Sequence, residues 1–172
     1  MTPCSAAWLI RGAQVRELSR LRDVEREAGT RFDAIPALGG LPEILAPAEA
    51  LAAALRRGHL WVAAATADDV PVGFAYADVL DGALHLEELD VLPSWGRRGI
   101  GRALVATVLT AARDAGLPAV TLTTFRDVPW NAPFYARLGF RTLPPAAWSP
   151  GLAALLSRTA IHPRSAHKWT AP

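Results

Sequence analysis

Three apolar runs separated by two tight-turn signals constrain this chain most. Leu60 to Thr66, Val72 to Val79 and Leu84 to Val91 are each of strand length. Ala67-Asp68-Asp69 separates the first pair and Asp81-Gly82 the second. Asp-Gly is a strong two-residue hairpin signal, because both central positions of that turn need positive φ. The three runs therefore predict an antiparallel meander. After Pro93 the period changes: Ile100, Leu104, Val108 and Ala111 recur one helical turn apart. This predicts a helix from about Gly99 to Ala115, stopped at Gly116.

The flanking segments complete an α/β pattern. Trp8 to Arg11 reads as a first strand, and Leu18, Leu21, Val24 and Ala28 mark a helix over Gln14 to Ala28. Thr30 to Pro47 is rich in Gly and Pro and reads as a loop, with one helical turn around Glu43–Leu45. A second helix opens at Pro47 and ends at Gly58. Beyond Gly116, Ala119 to Thr124 is a β-branched strand, Ala132 to Leu138 a short helix, and Phe140 to Leu143 another strand. The order β-α-α-βββ-α-β-α-β predicts mixed α+β layers: a mixed, mostly antiparallel sheet with helices on both faces. Residues 1–172 read as a single domain. Residues 144–172 form a C-terminal extension, with a helix from Gly151 to Ser157 and then a stretch without a clear pattern.

Composition excludes several classes. The chain has 172 residues, 51% hydrophobic and 20% charged, so it can bury a core and is neither disordered nor fibrous. No apolar run approaches membrane-spanning length, and the first residues lack a secretory pattern, so a cytoplasmic location and no membrane partner are expected. Cys4 is the single cysteine, which leaves no internal disulfide and no cysteine cluster for zinc. The four histidines are scattered, so no metal is expected. The net charge of +2 gives no whole-surface argument for nucleic acid, although the bases cluster locally.

One such cluster follows the third run. Val91 leads through Leu92-Pro93-Ser94-Trp95-Gly96-Arg97-Arg98-Gly99-Ile100-Gly101-Arg102 into the long helix. Glycines let a backbone approach a ligand closely. The free amides and dipole of a helix start favour an anion, and Arg97, Arg98 and Arg102 add charge. The physical reading is a pyrophosphate site. No Gly-Lys-Ser/Thr follows, so it is not a Walker loop, and a strand from a meander makes a poor Rossmann start. The alternative is an exposed basic helix start without a ligand.

The segment Leu89-x-Val91-x-Pro93, followed by Gly99-Ile100-Gly101-Arg102, resembles the acyl-CoA-binding motif of the GNAT N-acetyltransferase superfamily. The downstream Phe134-Tyr135-Ala136-Arg137-Leu138-Gly139-Phe140 is similar to that family's second motif. The resemblance covers about residues 8 to 143. It implies a GNAT-like fold and acetyl-CoA as the cofactor, with the amides of Arg97, Arg98, Gly99, Ile100, Gly101 and Arg102 on the pyrophosphate. It places the acetyl carbonyl against the strand backbone at Leu89, Asp90 and Val91. The family's Gln/Arg position falls on Gly96. The family's asparagine position, about seven residues before the tyrosine, falls on Val128; Asn131 sits closer to the tyrosine and reads either as a displaced CoA ligand or as a cap of the short helix.

The same resemblance implies direct transfer of the acetyl group to an amine, small-molecule or protein, without a covalent enzyme intermediate. It assigns Tyr135 as the acid that meets the leaving sulfur. An acid or histidine at positions matching His85 and Glu87 serves as the base. Glu87 comes first, His85 second and Glu88 third. A carboxyl among apolar neighbours has a raised pKa, which suits a base near neutral pH. The structural alternatives are an arginine ion pair for Glu87, a cross-sheet hydrogen bond for Glu88 and a solvent-facing place for His85. Arg126 and Asp127 read as a surface pair or as acceptor contacts. A catalytically idle acyl-CoA-binding sensor or scaffold is the competing function. The acceptor amine and the oligomeric state, a homodimer included, are left open.

Overall fold

The computed structural model describes residues 7–35, 45–125, 128–158 and 164–170. Cys4, Glu43, Arg126 and Asp127, on which expectations were placed, lie outside the described residues. The strands are β1 (Trp8–Gly12), β2 (Leu60–Ala65), β3 (Pro71–Leu80), β4 (Ala83–Val91), β5 (Ala119–Phe125), β6 (Arg141–Thr142) and β7 (Arg164–Thr170). The α-helices are α1 (Leu18–Gly29), α2 (Ala48–Arg57), α3 (Ile100–Asp114), α4 (Ala132–Arg137) and α5 (Pro150–Ser157). The sheet order is β1-β2-β3-β4-β5-β7-β6. The mixed, mostly antiparallel sheet with flanking helices is the fold expected from the order of elements.

The chain gathers into two compact units, residues 1–76 with 88–107 and residues 77–87 with 108–172. In the first, β1 runs antiparallel to β2 and β2 antiparallel to β3. The Leu-Trp-Val-Ala-Ala-Ala run of β2 is buried along its whole length, as an unbroken apolar strand should be. α1 buries Leu21, Val24 and Ala28, but also Glu25, which falls in the same stripe. α2 buries Leu51 and Ala54.

In the second unit β4 pairs β5 in parallel, Leu84 to Leu86 against Val120 to Leu122. A parallel pair needs a crossover, and α3 lies in that connection. Asp81 and Gly82 have φ of 49° and 78°, the pair of positive values that the hairpin signal demanded. The unpatterned tail contains β7, which pairs antiparallel with β5 from Ala119↔Thr170 to Phe125↔Arg164 and with β6 at Arg141 and Thr142. No helix among the described residues is long and apolar enough to cross a membrane.

Candidate functional site

The basic loop is built by backbone conformations that side chains resist. Pro93–Trp95 forms a single 3-10 turn after β4, and Gly96 N–H donates to Pro93 O at 3.1 Å. A Cβ at Gly96 would lie 3.2 Å from that same oxygen, so the turn fits glycine best there. Arg97 has φ of 59° and Gly99 φ of 81°. A left-handed arginine costs roughly 1–2 kcal/mol, and such strain clusters at ligand clamps. The first helical bond of α3 runs from Ala103 N–H to Gly99 O at 3.0 Å. The amides of Ile100, Gly101 and Arg102 therefore precede the helical ladder, at the positive end of a fifteen-residue helix.

The arginines of this loop differ in their engagement. Arg97, Arg98 and Arg102 are exposed. Arg98 lies over the Trp95 ring, its Cζ 4.7 Å from the centroid, and its Nη2 donates to Ser94 O at 3.4 Å. It braces the loop from within.

At the end of β4 in the same unit, three carboxylates converge. Ligand oxygens of Glu25, Glu88 and Asp90 all lie within 4.8 Å of one another. Glu25 Oε1 accepts the Ala46 N–H at 2.6 Å, which ties α1 to the segment leading into α2. Burial pushes the Asp90 carboxyl well above its ordinary range; the neighbouring Glu88 and Glu25 add to this, and Arg31 opposes it. This spacing would suit a cation's ligands, but a shared proton relieves the same repulsion. Glu88, the third base candidate, thus stands in a carboxylate group. The signal for Glu25 was its position in the apolar stripe of α1, where a carboxylate demands a partner.

The electrostatic cost of Asp90 has a defined sign. A raised folded-state pKa adds stability below the unfolded value of about 4, and that contribution is lost as pH rises through the folded value. We expect Asp90→Asn to gain in Tm relative to the parent as pH is raised from 5 to 8. Thermal melts of both proteins across that range measure it, and a pH-independent difference would contradict the account.

The second unit holds the other candidates. Glu87 on β4 is exposed, yet lost hydration and the nearby Asp78 carboxylate raise its pKa. No arginine ion pair is among the causes of that shift. His85 is not solvent-facing: it is 1% exposed, and its Nδ1 lies 2.8 Å from Thr121 Oγ1 on β5. Burial lowers its pKa to about 4, so the imidazole is neutral at pH 7 and serves the β4–β5 pair. Tyr135 is half-buried on α4, its ring edge-on to Phe134 and Phe140 at 5.0 and 5.7 Å. Phe140 is core, whereas Phe134 is half-buried. Asn131 occupies the N-cap of α4 without a side-chain cap; its carbonyl accepts the amides of Phe134 and Tyr135. The capping reading is therefore corrected to a backbone role.

Comparison with known proteins agrees with this fold. A model of the acetyltransferase (GNAT) family matches residues 26–140, more than half of the chain. A GNAT-family acetyltransferase structure from Staphylococcus aureus is 16% identical, with a TM-score of 0.75 over 95% of this chain and 99% of that one. A Mycobacterium tuberculosis protein solved in complex with CoA is 21% identical, with a TM-score of 0.72 and the same coverage. Arabidopsis thaliana Naa50, in complex with the bisubstrate analogue CoA-Ac-MVNAL, is 16% identical, with a TM-score of 0.68 over 96% of this chain and 99% of that one. At these identities the structures speak for the fold.

Proposed function

The chain belongs to the acetyltransferase (GNAT) family, and from that premise we propose that it transfers the acetyl group of acetyl-CoA directly to a primary amine. The observation that carries this reading is the loop at the start of α3, where left-handed Arg97 and Gly99 turn the chain into a helix start. Its fit to a pyrophosphate rests on the amides of Ile100, Gly101 and Arg102, the helix dipole and the exposed arginines. The CoA in the Mycobacterium tuberculosis neighbour and the bisubstrate analogue in the Arabidopsis one support acetyl-CoA as the donor.

Acetyl-CoA supplies an activated thioester carbonyl. The protein's share is to position it, take a proton from the amine and give one to the departing sulfur. In this proposal the strand backbone at Leu89 to Val91 holds the acetyl oxygen. Glu87 takes the amine proton on a carboxylate oxygen, directly or through water, as its raised pKa allows. The C–N bond forms as the C–S bond breaks, and the Tyr135 hydroxyl protonates the sulfur. His85, neutral and 1% exposed, is a poorer base than Glu87.

The test is thiol release from acetyl-CoA against a panel of polyamines, aminoglycosides, amino acids and peptides with free N-termini. Acceptor-dependent release is expected. Tight acetyl-CoA binding without turnover on any acceptor class would favour an idle binding module. With an acceptor in hand, Glu87→Gln should flatten the acidic limb of the pH–rate profile, because the ionising group is gone. An unchanged limb would move the base role away from Glu87.

A further inference from the structure

The second unit contains a helix that is capped from another part of the chain. α5 begins at Pro150, and its own N-cap, Ser149, makes no side-chain cap. Pro150 has no N–H to satisfy, so Gly151 and Leu152 carry the first free amides of the helix. Asp81, at the tip of the β3–β4 hairpin, receives them. Its Oδ2 accepts the Gly151 N–H at 2.7 Å across a separation of 70 residues. The Ser149 hydroxyl and the Leu152 amide also hydrogen-bond to this carboxylate and, with Gly151, lower its pKa. It is therefore ionised at neutral pH, as the positive end of a helix prefers.

The contact is also closed sterically. A Cβ on Gly151 would lie 2.6 Å from Leu80 Cδ1 and 2.7 Å from Asp81 Oδ2, closer than real Cβ atoms approach. A side chain at position 151 would require the ends of the Leu80 and Asp81 side chains, the capping oxygen included, to move. Asp81 thus does two jobs: it adopts the left-handed turn, with φ of 49°, and it caps a distant helix.

We propose that Asp81 and Gly151 form a clasp that docks the C-terminal segment onto the β3–β4 hairpin. The segment runs from α5 to β7, and β7 covers β5 along its whole length. The clasp holds the start of the segment and the β5–β7 ladder holds its end. Opening of the clasp frees α5 first, as a local event well below global unfolding. This inference does not depend on the reaction assigned above.

Hydrogen exchange on the full chain tests it. Asp81→Gly keeps a residue at ease in the turn and removes only the cap. Loss of a helix cap corresponds to about three- to thirtyfold in an opening equilibrium, so amides of 151–157 should exchange faster by that factor. Amides of β2 should be unchanged. Asp81→Asn, which retains one acceptor oxygen and tolerates positive φ, should recover part of the protection. Gly151→Ala, acting from the other side of the contact, should open the same helix. If α5 exchange is unaltered in both Asp81→Gly and Gly151→Ala, there is no clasp. Equal acceleration across α5 and β2 in both variants would mean global destabilisation and would likewise overturn it.

Discussion

Tyr135→Phe is expected to lower kcat by about 10²- to 10⁴-fold at saturating acceptor, the usual contribution of a general acid. The substitution removes one hydroxyl and leaves the ring. That ring is what packs edge-on against Phe134 and Phe140, so α4 and the core around it should be undisturbed. The backbone of Tyr135 is also engaged, its carbonyl accepting the amides of Leu138 and Phe140 at 2.9 and 3.1 Å, and neither bond involves the phenol. The fold and acetyl-CoA affinity should therefore survive while turnover falls. A smaller loss with a good leaving thiol than with a poor one would mark the step as sulfur protonation. Full turnover in Tyr135→Phe would remove the acid assignment.

The double variant Gly99→Val/Gly101→Val should raise the Kd for acetyl-CoA by at least about tenfold. The cause differs between the two sites. At Gly99 there is room for a side chain, since the nearest atom to a built Cβ is Trp8 Cζ2 at 4.0 Å. What is missing is the backbone conformation: φ of 81° is open to glycine and strongly disfavoured for a β-branched residue. Valine would pull the turn toward negative φ and swing the amides that begin α3. At Gly101, in the first turn of α3, a valine side chain is expected to crowd a phosphate drawn to the free amides. Arg97 is already strained, so the loop has little freedom to compensate. Gly99→Ala alone should show a smaller increase of the same origin.

Local chemistry made much of this protein legible and long-range pairing hid the rest. Asp81-Gly82 announced its hairpin because the turn demands two positive φ values from adjacent residues. The helix from Ile100 was legible because its buried residues, Ile100, Leu104 and Val108, repeat every turn. β7 was not, because Arg-Ser-Ala-His-Lys-Trp-Thr carries no apolar alternation; its place comes from pairing with β5 and β6. Glu25 went unread because the stripe of α1 was taken from its apolar members alone, though a carboxylate at that phase must find partners when buried. His85 was expected near solvent from its closeness to the turn. In the fold it faces Thr121 of a strand 36 residues away in sequence. Asp81 was read for its backbone only, since nothing in the local sequence points to a helix start 70 residues on.

The central claim is that the loop opening α3 receives the pyrophosphate of acetyl-CoA. Isothermal titration of the parent chain with acetyl-CoA, NAD and ATP, repeated on Gly99→Val/Gly101→Val, tests it most directly. The account predicts saturable acetyl-CoA binding to the parent, weakened at least about tenfold in the variant, with NAD and ATP bound far less tightly. Binding of NAD or ATP without acetyl-CoA, or equal acetyl-CoA affinity in the two proteins, would contradict it.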